Sequence, residues 1–268
     1  MITMQTYVQA QSLEEAWQLN QKRSARILGG MLWTRMESRP VSTAIDLCRL
    51  GLDTIEETDA AFTLGAMVTL RQIELHPGLA AYTGGAAAAA VRDIVGVQFR
   101  NMATIGGSVW GRFGFSDLLT WLLASGAAVE LYKGGVVPLE AFAAMPYDRD
   151  VLVRVILPKR PGAAFAYQAV RIGRTDLPVL NCAAARLDGG YRVAVGARPG
   201  KAVLLQDDAG LLARGLTEES AAAFGRWAAG QVPTGSNARG SAAYRTHLVK
   251  VLSRRALLAL DRTGGDQG

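Results

Sequence analysis

One stretch of the sequence decides the fold class: Gln98-Phe99-Arg100-Asn101-Met102-Ala103-Thr104-Ile105-Gly106-Gly107-Ser108. Another glycine pair lies upstream, in Ile27-Leu28-Gly29-Gly30, and both pairs follow β-like segments. Residues 27–33 are called the first glycine stretch below, and residues 98–108 the second. Because glycine has no Cβ, it permits a positive φ and lets the backbone approach a ligand closely. Successive N–H groups in such turns form concave anion sites. We therefore predict two turns that face each other and hold a pyrophosphate, with hydroxyl donors from Thr104 and Ser108.

The other glycine pairs are not assigned to a cofactor site, because the chain contains 30 glycines and a glycine pair is more often a simple turn. Gly84-Gly85, Gly134-Gly135 and Gly189-Gly190 are interpreted as turns of this kind. Asp117 follows the second stretch, and its carboxylate is suited to accept hydrogen bonds from a ribose or a flavin. The pattern thus predicts a site for a phosphate-bearing cofactor.

The composition is that of an ordinary globular chain. Of the 268 residues, 50% are hydrophobic and 19% are charged, which excludes a disordered chain, a coiled coil and a collagen-like repeat. Cys48 and Cys182 are the only cysteines, so a disulfide framework and a cysteine-rich zinc or iron–sulfur site in this chain are excluded. We predict no metal site.

Charge and hydropathy limit the partners. The net charge is +6 and the pI is about 9.6, but the basic residues are spread along the chain. The aromatic residues do not interleave with them, as a nucleic-acid platform requires. Residues 1–11 do not resemble a secretory signal, and no apolar stretch is long enough to span a bilayer. We predict a cytoplasmic protein without nucleic-acid or membrane contacts.

Local signals predict a mixture of helices and strands. Ser12-Leu13-Glu14-Glu15 is a capping-box pattern that begins one helix, and Ser116-Asp117 begins another. Asp188-Gly189-Gly190 is predicted to be the turn of a β-hairpin. The alanine-rich segment 79–94 is predicted to be helical despite its Gly84-Gly85 pair. Because helices and strands do not alternate evenly, the fold class is α+β rather than a doubly wound sheet.

Side chains for acid–base or nucleophilic chemistry are scarce. The only histidines are His76 and His247, which are interpreted as surface or helix-cap residues. No nucleophile elbow, P-loop or zinc-protease motif occurs. A globular chain of this kind either binds a partner or leaves the chemistry to a cofactor.

The glycine stretches carry a resemblance to a known family. The phrase from Gln98 to Gly107, with Ser116-Asp117, resembles the FAD-binding medium subunit of molybdenum hydroxylases, the family of xanthine dehydrogenase and carbon-monoxide dehydrogenase. Further phrases match in order along nearly the whole chain. They are Ile45-Asp46-Leu47, Leu64-Gly65-Ala66-Met67-Val68-Thr69, Ile156-Leu157-Pro158, Arg171 through Asp176, and Ser241-Ala242-Ala243-Tyr244-Arg245.

The resemblance implies a fold in three parts. An FAD-binding domain of the vanillyl-alcohol-oxidase or PCMH type is expected over 1–160, with subdomains at about 1–55 and 56–160. A C-terminal α+β domain, as in the flavoprotein of carbon-monoxide dehydrogenase, is expected over 163–262. The two subdomains would clamp an extended FAD, and the C-terminal domain would cover the flavin side.

The resemblance also implies which residues contact FAD. The first and second glycine stretches would hold the pyrophosphate, Asp117 would hydrogen-bond the cofactor, and Val153 would supply a backbone contact. Gln168 stands where many relatives have lysine. The complete set is Ile27, Leu28, Gly29, Gly30, Met31, Leu32, Trp33, Ile94, Thr104, Gly106, Gly107, Ser108, Asp117, Val153 and Gln168. No catalytic residue is assigned.

The activity that the resemblance implies is electron transfer within a complex. In the family, a large molybdopterin subunit oxidises the substrate, a small iron–sulfur (2Fe–2S) subunit passes the electrons on, and the flavin delivers them to an acceptor such as NAD. This chain is expected to be the FAD-containing oxidoreductase subunit of a xanthine dehydrogenase-like complex, with both other subunits as partners.

Two alternatives stay open at this point. Met31-Leu32-Trp33, Ser108 and Gln168 depart from the residues of most relatives, which suits a non-catalytic assembly subunit of the same fold that has lost its flavin. A stand-alone FAD reductase of the cell-wall precursor type shares the FAD fold. That enzyme needs a serine or glutamate proton donor in a substrate pocket, and no such constellation is found.

Overall fold

The computed structural model describes residues 2–263, and its mixture of helices and strands confirms the α+β class. No helix in this range combines the length and the apolar character that crossing a membrane requires. A short 3₁₀ helix covers Thr34–Met36. The other elements, in chain order, are β1 (Met4–Gln9), α1 (Leu13–Asn20), β2 (Ala25–Leu28), β3 (Val41–Asp46), β4 (Ile55–Glu57), β5 (Ala61–Gly65), α2 (Leu70–Leu75), α3 (Pro77–Tyr82), α4 (Ala86–Val91), α5 (Val97–Met102), α6 (Ile105–Trp110), α7 (Asp117–Ala124), β6 (Ala128–Leu131), β7 (Gly135–Pro138), α8 (Leu139–Ala144), β8 (Leu152–Pro158), β9 (Ala164–Val170), β10 (Leu180–Leu187), β11 (Gly190–Gly196), β12 (Val203–Gln206), α9 (Glu218–Gln231) and α10 (Ala242–Thr263).

The chain divides into two compact units that interleave along the sequence. The first unit comprises the residues up to Gln72, together with Val97–Gly111 and Ala127–Pro158. The second unit comprises Ile73–Gly96, Arg112–Gly126 and the chain from Lys159 onward. Each compact unit combines several separate segments of the sequence, so the units do not correspond to continuous domains along the chain. The expected domain limits, 1–160 and 163–262, therefore stay a prediction.

The first unit contains two sheets. One is a parallel three-stranded sheet in the order β1-β3-β2, and the other is an antiparallel five-stranded sheet in the order β4-β5-β8-β6-β7. Ala16, Ile45 and Val153 are buried in one apolar cluster. Leu28, the last residue of β2, packs with Ala44 in another cluster. These contacts fix the end of β2, where the first glycine stretch begins.

The second unit is built on an antiparallel four-stranded sheet in the order β12-β11-β10-β9. Phe224 of α9 and Leu257 of α10 pack with Leu180 and other apolar residues of the sheet in one buried cluster. Helix α7 packs against β10 and β11, where the Thr120 hydroxyl lies 3.1 Å from Asn181 Oδ1. The start of α7, which carries the candidate residue Asp117, is thereby held against the sheet.

Several elements begin or end where local signals predict. The Ser12 hydroxyl oxygen caps α1 by accepting a hydrogen bond from the Glu15 N–H at 3.1 Å. Ser116 caps α7 in the same way, through the Leu119 N–H. The predicted hairpin between β10 and β11 is confirmed, because Asp188 and the following glycine have φ values of 51° and 78°. Two left-handed residues in succession are typical of a two-residue hairpin turn.

The continuous helix predicted over 79–94 is wrong. Helix α3 ends at Tyr82, and α4 begins only at Ala86. Between them, Gly84 and Gly85 adopt φ values of 55° and 80°. A left-handed backbone cannot continue a right-handed helix, and glycine adopts this conformation without a Cβ penalty. The glycine pair therefore overrides the helix propensity of the surrounding alanines.

Candidate cofactor site

The two glycine stretches lie against each other in the first unit. A Cβ atom at Gly30 would overlap the carbonyl oxygen of Met102, and one at Gly29 would lie 2.8 Å from Thr104 Oγ1. The positive φ that glycine permits is not used here, because neither pair has one. Close approach of the Met102 backbone at Gly30, and of the Thr104 side chain at Gly29, leaves no room for a Cβ atom.

The backbone of the first stretch suits an anion. The N–H groups of Gly30 and Met31 donate no hydrogen bond within residues 2–263. Met31 has a φ of 58°, a left-handed value that residues with a side chain rarely adopt. Undonated N–H groups beside such a residue form the kind of concavity that binds anions. Leu32 is buried and Trp33 is half-exposed, so the stretch runs from the core to the surface.

The second stretch is not the turn that the sequence predicts. Gly106 and Gly107 lie in the first turn of α6, and Thr104 is its N-cap residue. The N–H groups of residues 105–108 already have acceptors inside the first unit. In chain order, these acceptors are the carbonyl oxygens of Val68 and Ala66, the Thr104 hydroxyl and the Thr104 carbonyl, at 2.8, 2.9, 3.2 and 3.1 Å. The first stretch therefore offers the better anion site.

Gly106 holds α6 against the strand ends of the larger sheet. A Cβ atom at Gly106 would lie 2.6 Å from the carbonyl oxygen of Ala66. The Ala66 N–H donates in turn to the carbonyl oxygen of Val153 at 2.9 Å. The side chain of Val153 is buried in the core, so only its backbone is available for a ligand contact. Its carbonyl oxygen is thus linked to the second stretch through Ala66.

Gly107 differs from the other glycines of the two stretches. It is exposed, its φ is not positive, and a Cβ atom there would meet only Thr104 Oγ1, at 3.3 Å. A Cβ atom at this position would therefore require only a small shift of the Thr104 side chain. The neighbouring Ser108 hydroxyl donates to the Thr104 carbonyl oxygen at 2.9 Å, so its hydrogen is already engaged within the helix.

Asp117 lies in a buried polar network of the second unit. It is the first residue of α7 and is 4% exposed. Asp117 Oδ2 is 2.9 Å from Arg171 Nη2, and both side chains of this ion pair are buried. Asp117 Oδ1 accepts one hydrogen bond from Asn181 Nδ2 at 2.9 Å and another from the Tyr167 hydroxyl. Two hydrogen bonds and one ion pair thus hold this carboxylate.

Packing fixes the orientation of this network. The Thr120 hydroxyl donates to Asn181 Oδ1, which leaves Asn181 Nδ2 facing Asp117. A Cβ atom at Gly196 would overlap both the Thr120 hydroxyl and the Asn181 amide, so β11 needs glycine where it passes them. Burial, followed by the charge of Asp117, raises the pKa of Tyr167 well above its ordinary value. The phenol therefore stays protonated and acts as a donor.

Two further residues expected beside the cofactor do not join this network. Gln168 follows Tyr167 along β9, so the two side chains point to opposite faces of the sheet. The face of Gln168 is the face of Ala166 and Val170, which belong to or pack against the apolar cluster under α9 and α10. Ile94 lies in the loop after α4 and is half-buried.

Nothing in a motif marks Tyr167 or Asn181 as site residues. The available signal is weak: Asn181 is the single polar residue of the otherwise apolar run 179–185, and a buried amide needs hydrogen-bond partners. Arg171 belongs to a family phrase but has no predicted role. In the structure, its Nη1 donates to the Asp176 carbonyl oxygen at 2.7 Å while its Nη2 pairs with Asp117.

Comparison with known proteins places this geometry in a family. Residues 2–160 match the family model described as the FAD binding domain in molybdopterin dehydrogenase. The nicotine 6-hydroxylase medium subunit of Paenarthrobacter nicotinovorans is 30% identical over 231 residues, which cover 81% of each chain. The uncharacterized protein YgfM of Escherichia coli strain K12 is 27% identical over 258 residues, or 93% of each chain.

Solved structures share the fold along nearly the whole chain. A carbon monoxide dehydrogenase from Hydrogenophaga pseudoflava that lacks the Mo-pyranopterin moiety of its molybdenum cofactor has a TM-score of 0.85 and 26% identity, covering 96% of this chain and 97% of that chain. Quinoline 2-oxidoreductase from Pseudomonas putida 86 has the same TM-score at 23% identity. The predicted fold, that of the carbon-monoxide dehydrogenase flavoprotein, is confirmed. This chain therefore belongs to the family of FAD-binding domains of molybdopterin dehydrogenases, in which FAD is the cofactor of the domain.

Proposed function

We propose that this chain is the FAD-carrying electron-transfer subunit of a molybdenum hydroxylase complex. A molybdopterin subunit would oxidise the substrate and pass the electrons to an iron–sulfur subunit. The flavin of this chain would receive the electrons from that iron–sulfur subunit. FAD, when bound, provides the redox chemistry that the side chains of this chain lack. The observation that carries the proposal is the match to the FAD-binding family over residues 2–160.

We propose that the first glycine stretch binds the pyrophosphate of FAD. The N–H groups of Gly30 and Met31 are the donors, since they make no hydrogen bond within residues 2–263. The second stretch supports this loop by packing, because its N–H groups already have acceptors. The full set of proposed contacts keeps the residues that the resemblance implies, which are Ile27 to Trp33, Ile94, Thr104, Gly106, Gly107, Ser108, Asp117, Val153 and Gln168.

Cofactor binding by the isolated chain tests this function. We expect the protein, expressed alone, to purify with one bound FAD or to take up one FAD on reconstitution, as measured from its visible absorption spectrum. Denaturation should release the flavin, because no histidine or cysteine lies in either glycine stretch to form a covalent link. A colourless protein that takes up no FAD overturns the proposal.

An assembly subunit without flavin is the second candidate. The observation that favours it is the engagement of every N–H group of residues 105–108 within the protein, which leaves the second stretch no free donor for a phosphate. Such a subunit would bind the iron–sulfur and molybdopterin subunits while colourless. Co-purification of a complete complex that contains no FAD would favour this candidate over the first.

We infer an acceptor such as NAD, and a xanthine dehydrogenase-like complex, from the family motifs. The domain limits, 1–160 and 163–262, and a cytoplasmic location are part of the same proposal. Anaerobic addition of NADH to the FAD-loaded chain tests the acceptor, since electron transfer to NAD is reversible. Bleaching of the flavin absorbance by NADH is expected, and absence of bleaching would assign the acceptor to another class.

A further inference from the structure

Three side chains hold the Asp117 carboxylate in one orientation. Its Oδ1 receives hydrogen bonds from Asn181 Nδ2 and the Tyr167 hydroxyl, and its Oδ2 pairs with Arg171 Nη2. An ionised carboxylate has about four acceptor positions. Both hydrogen bonds go to Oδ1; among the residues that the structure describes, Oδ2 has the ion pair with Arg171 and accepts no hydrogen bond.

The Asp117 carboxylate is buried, and this affects how its Oδ2 can bind a ligand. The side chains of Asp117 and Arg171 are 5% and 8% exposed, and Asn181 is fully buried. Bulk water has little access to such a carboxylate, so a ligand hydroxyl or N–H that reaches Oδ2 replaces little hydration. Because Oδ1 accepts two hydrogen bonds and Oδ2 pairs with Arg171, the carboxylate is held in one orientation. The group is thus preorganised to accept one hydrogen bond in one direction.

We propose that Tyr167, Arg171 and Asn181 are positioning residues for FAD, which fix the Asp117 carboxylate so that its Oδ2 meets a hydroxyl or N–H of the cofactor. This inference rests on the proposed function, because it takes FAD as the ligand. None of the three positioning residues has to touch the cofactor. Their effect on binding passes through Asp117.

Removal of single donors tests the inference. Tyr167→Phe keeps the packing of the ring and removes one donor to Oδ1, and we expect it to raise the Kd for FAD about tenfold. Arg171→Gln should raise the Kd at least as much, and Arg171→Lys should recover most of the affinity, since lysine keeps a charged donor. Quenching of flavin fluorescence measures each Kd, and thermal unfolding of the FAD-free variants measures stability separately.

A double-mutant cycle separates positioning from a general loss of stability. In an Asp117→Asn background, Tyr167→Phe should leave the Kd for FAD within about twofold, because the group through which it acts has changed. If Tyr167→Phe weakens binding equally in both backgrounds, the positioning role is wrong. Should Asp117→Asn not fold, the comparison of Arg171→Lys with Arg171→Gln decides, and equal loss of affinity in both overturns the inference.

Arg174 provides the matched control in the same loop. Its side chain is 82% exposed and pairs with Asp93, away from the Asp117 carboxylate. Arg174→Gln should leave the Kd for FAD unchanged, and a loss equal to that of Arg171→Gln would show that loop charge alone matters. If the wild-type chain takes up no FAD, the proposed function fails and the inference fails with it. If the wild-type binds FAD and the Tyr167 and Arg171 variants bind it equally well, only the inference fails.

Discussion

Two glycines of the cofactor stretches are required for different reasons. At Gly30 a Cβ atom would overlap the Met102 carbonyl oxygen, whereas at Gly107 it would meet only Thr104 Oγ1, at 3.3 Å. Packing within the protein demands glycine at the first position, whereas at the second a Cβ atom would displace only one side-chain oxygen slightly. Glycine inside a helix costs about 1 kcal/mol relative to alanine, so its presence at Gly107 is best explained by the close approach of a ligand.

Gly107→Ala is therefore expected to separate cofactor binding from stability. The free energy of unfolding of the FAD-free protein should stay the same or rise by up to about 1 kcal/mol, because alanine favours the helix. The Kd for FAD should rise at least tenfold, since the added methyl group occupies the space of the ligand. Urea denaturation and fluorescence titration measure the two quantities.

Gly230 is the control for this substitution. It lies in α9, is exposed, lacks a positive φ and has no atom within 4 Å of the position of a Cβ. Gly230→Ala should change neither cofactor affinity nor, beyond the gain in helix propensity, stability. Gly135 is unsuitable for this purpose because its φ is 66°, where any side chain introduces strain. An unchanged Kd in Gly107→Ala would contradict the approach of a ligand at this position.

Gly30→Ala is expected to have the opposite effect. The added Cβ atom would overlap a backbone oxygen, so α5 or the first glycine stretch must shift. Overpacking of this kind costs about 3 kcal/mol in the free energy of unfolding. Urea denaturation of the FAD-free protein measures the loss, and a variant as stable as Gly107→Ala would show that the two stretches are not in contact.

The residues of the candidate site were predictable to different degrees. Asp117 follows a recognisable phrase, and the glycine pairs stand out in any reading of the sequence. Tyr167 and Asn181 do not, because they reach Asp117 only after β9, β10 and α7 have packed together. The packing that requires glycine at Gly30 could not be predicted either, because close approach between segments far apart in sequence leaves no local sequence pattern.

At the scale of elements, an ion pair ties α1 to the turn after β6. Lys133 Nζ lies 2.7 Å from Glu14 Oε2, and 4.8 and 4.4 Å from the ring centres of Trp17 and Tyr132. The hydrogen bond from Lys133 lowers the pKa of Glu14 to about 2, with smaller contributions from Tyr132 and Gln18. The carboxylate of this exposed pair therefore remains ionised in moderately acidic solution.

The sign of the pH dependence follows from this pKa. The pKa of Glu14 is lower in the folded chain than the roughly 4.3 of an unfolded one, so the pair stabilises the fold above that pH. The contribution is lost as the pH falls through about 2. Lys133→Met should raise the pKa of Glu14 toward its ordinary value, as measured by NMR titration of the carboxyl carbon. Lys250→Met, on α10, should leave it unchanged, and no shift in Lys133→Met would contradict the pairing.

Elements were predictable where a local signal fixes them. Ser12 and Ser116 cap their helices through their own side chains, and the turn at Asp188 has the conformation that its residues favour. The sheet orders β12-β11-β10-β9 and β4-β5-β8-β6-β7 have no such signal, because they depend on which strands pair across long separations in sequence. The break between α3 and α4 at Gly84-Gly85 shows that two left-handed residues interrupt a helix even where the neighbouring alanines have high helix propensity.

At the scale of the whole molecule, the chain has an FAD-binding fold and few groups for acid–base chemistry. His76 serves as the N-cap of α3, where its Nδ1 accepts a hydrogen bond from the Leu79 N–H at 3.1 Å. The other histidine, His247, is exposed on α10. The buried network around Asp117 contains no histidine or cysteine. Substrate oxidation is therefore expected to take place on another chain.

Electron flow through the assembled complex tests this division of labour. We expect the FAD-loaded chain alone to show no bleaching of flavin absorbance when mixed anaerobically with purines or aldehydes, because it offers no group that activates them. With the iron–sulfur and molybdopterin subunits added, the substrate of the complex should bleach the flavin rapidly, as followed by stopped-flow absorbance. Omission of the iron–sulfur subunit should abolish bleaching, because in the proposed complex that subunit would carry electrons between the other two.

The controls for this experiment separate electron relay from self-sufficient catalysis. Dithionite should bleach the isolated flavoprotein at once, which shows that its FAD is reducible and that the slow step with substrate lies elsewhere. Gly107→Ala, which is expected to bind FAD at least tenfold more weakly without unfolding, should still assemble with both partners and, at an FAD concentration below its Kd, show correspondingly less flavin bleaching. Rapid bleaching of the isolated wild-type chain by substrate would refute the relay role, because it requires a complete substrate site within these 268 residues.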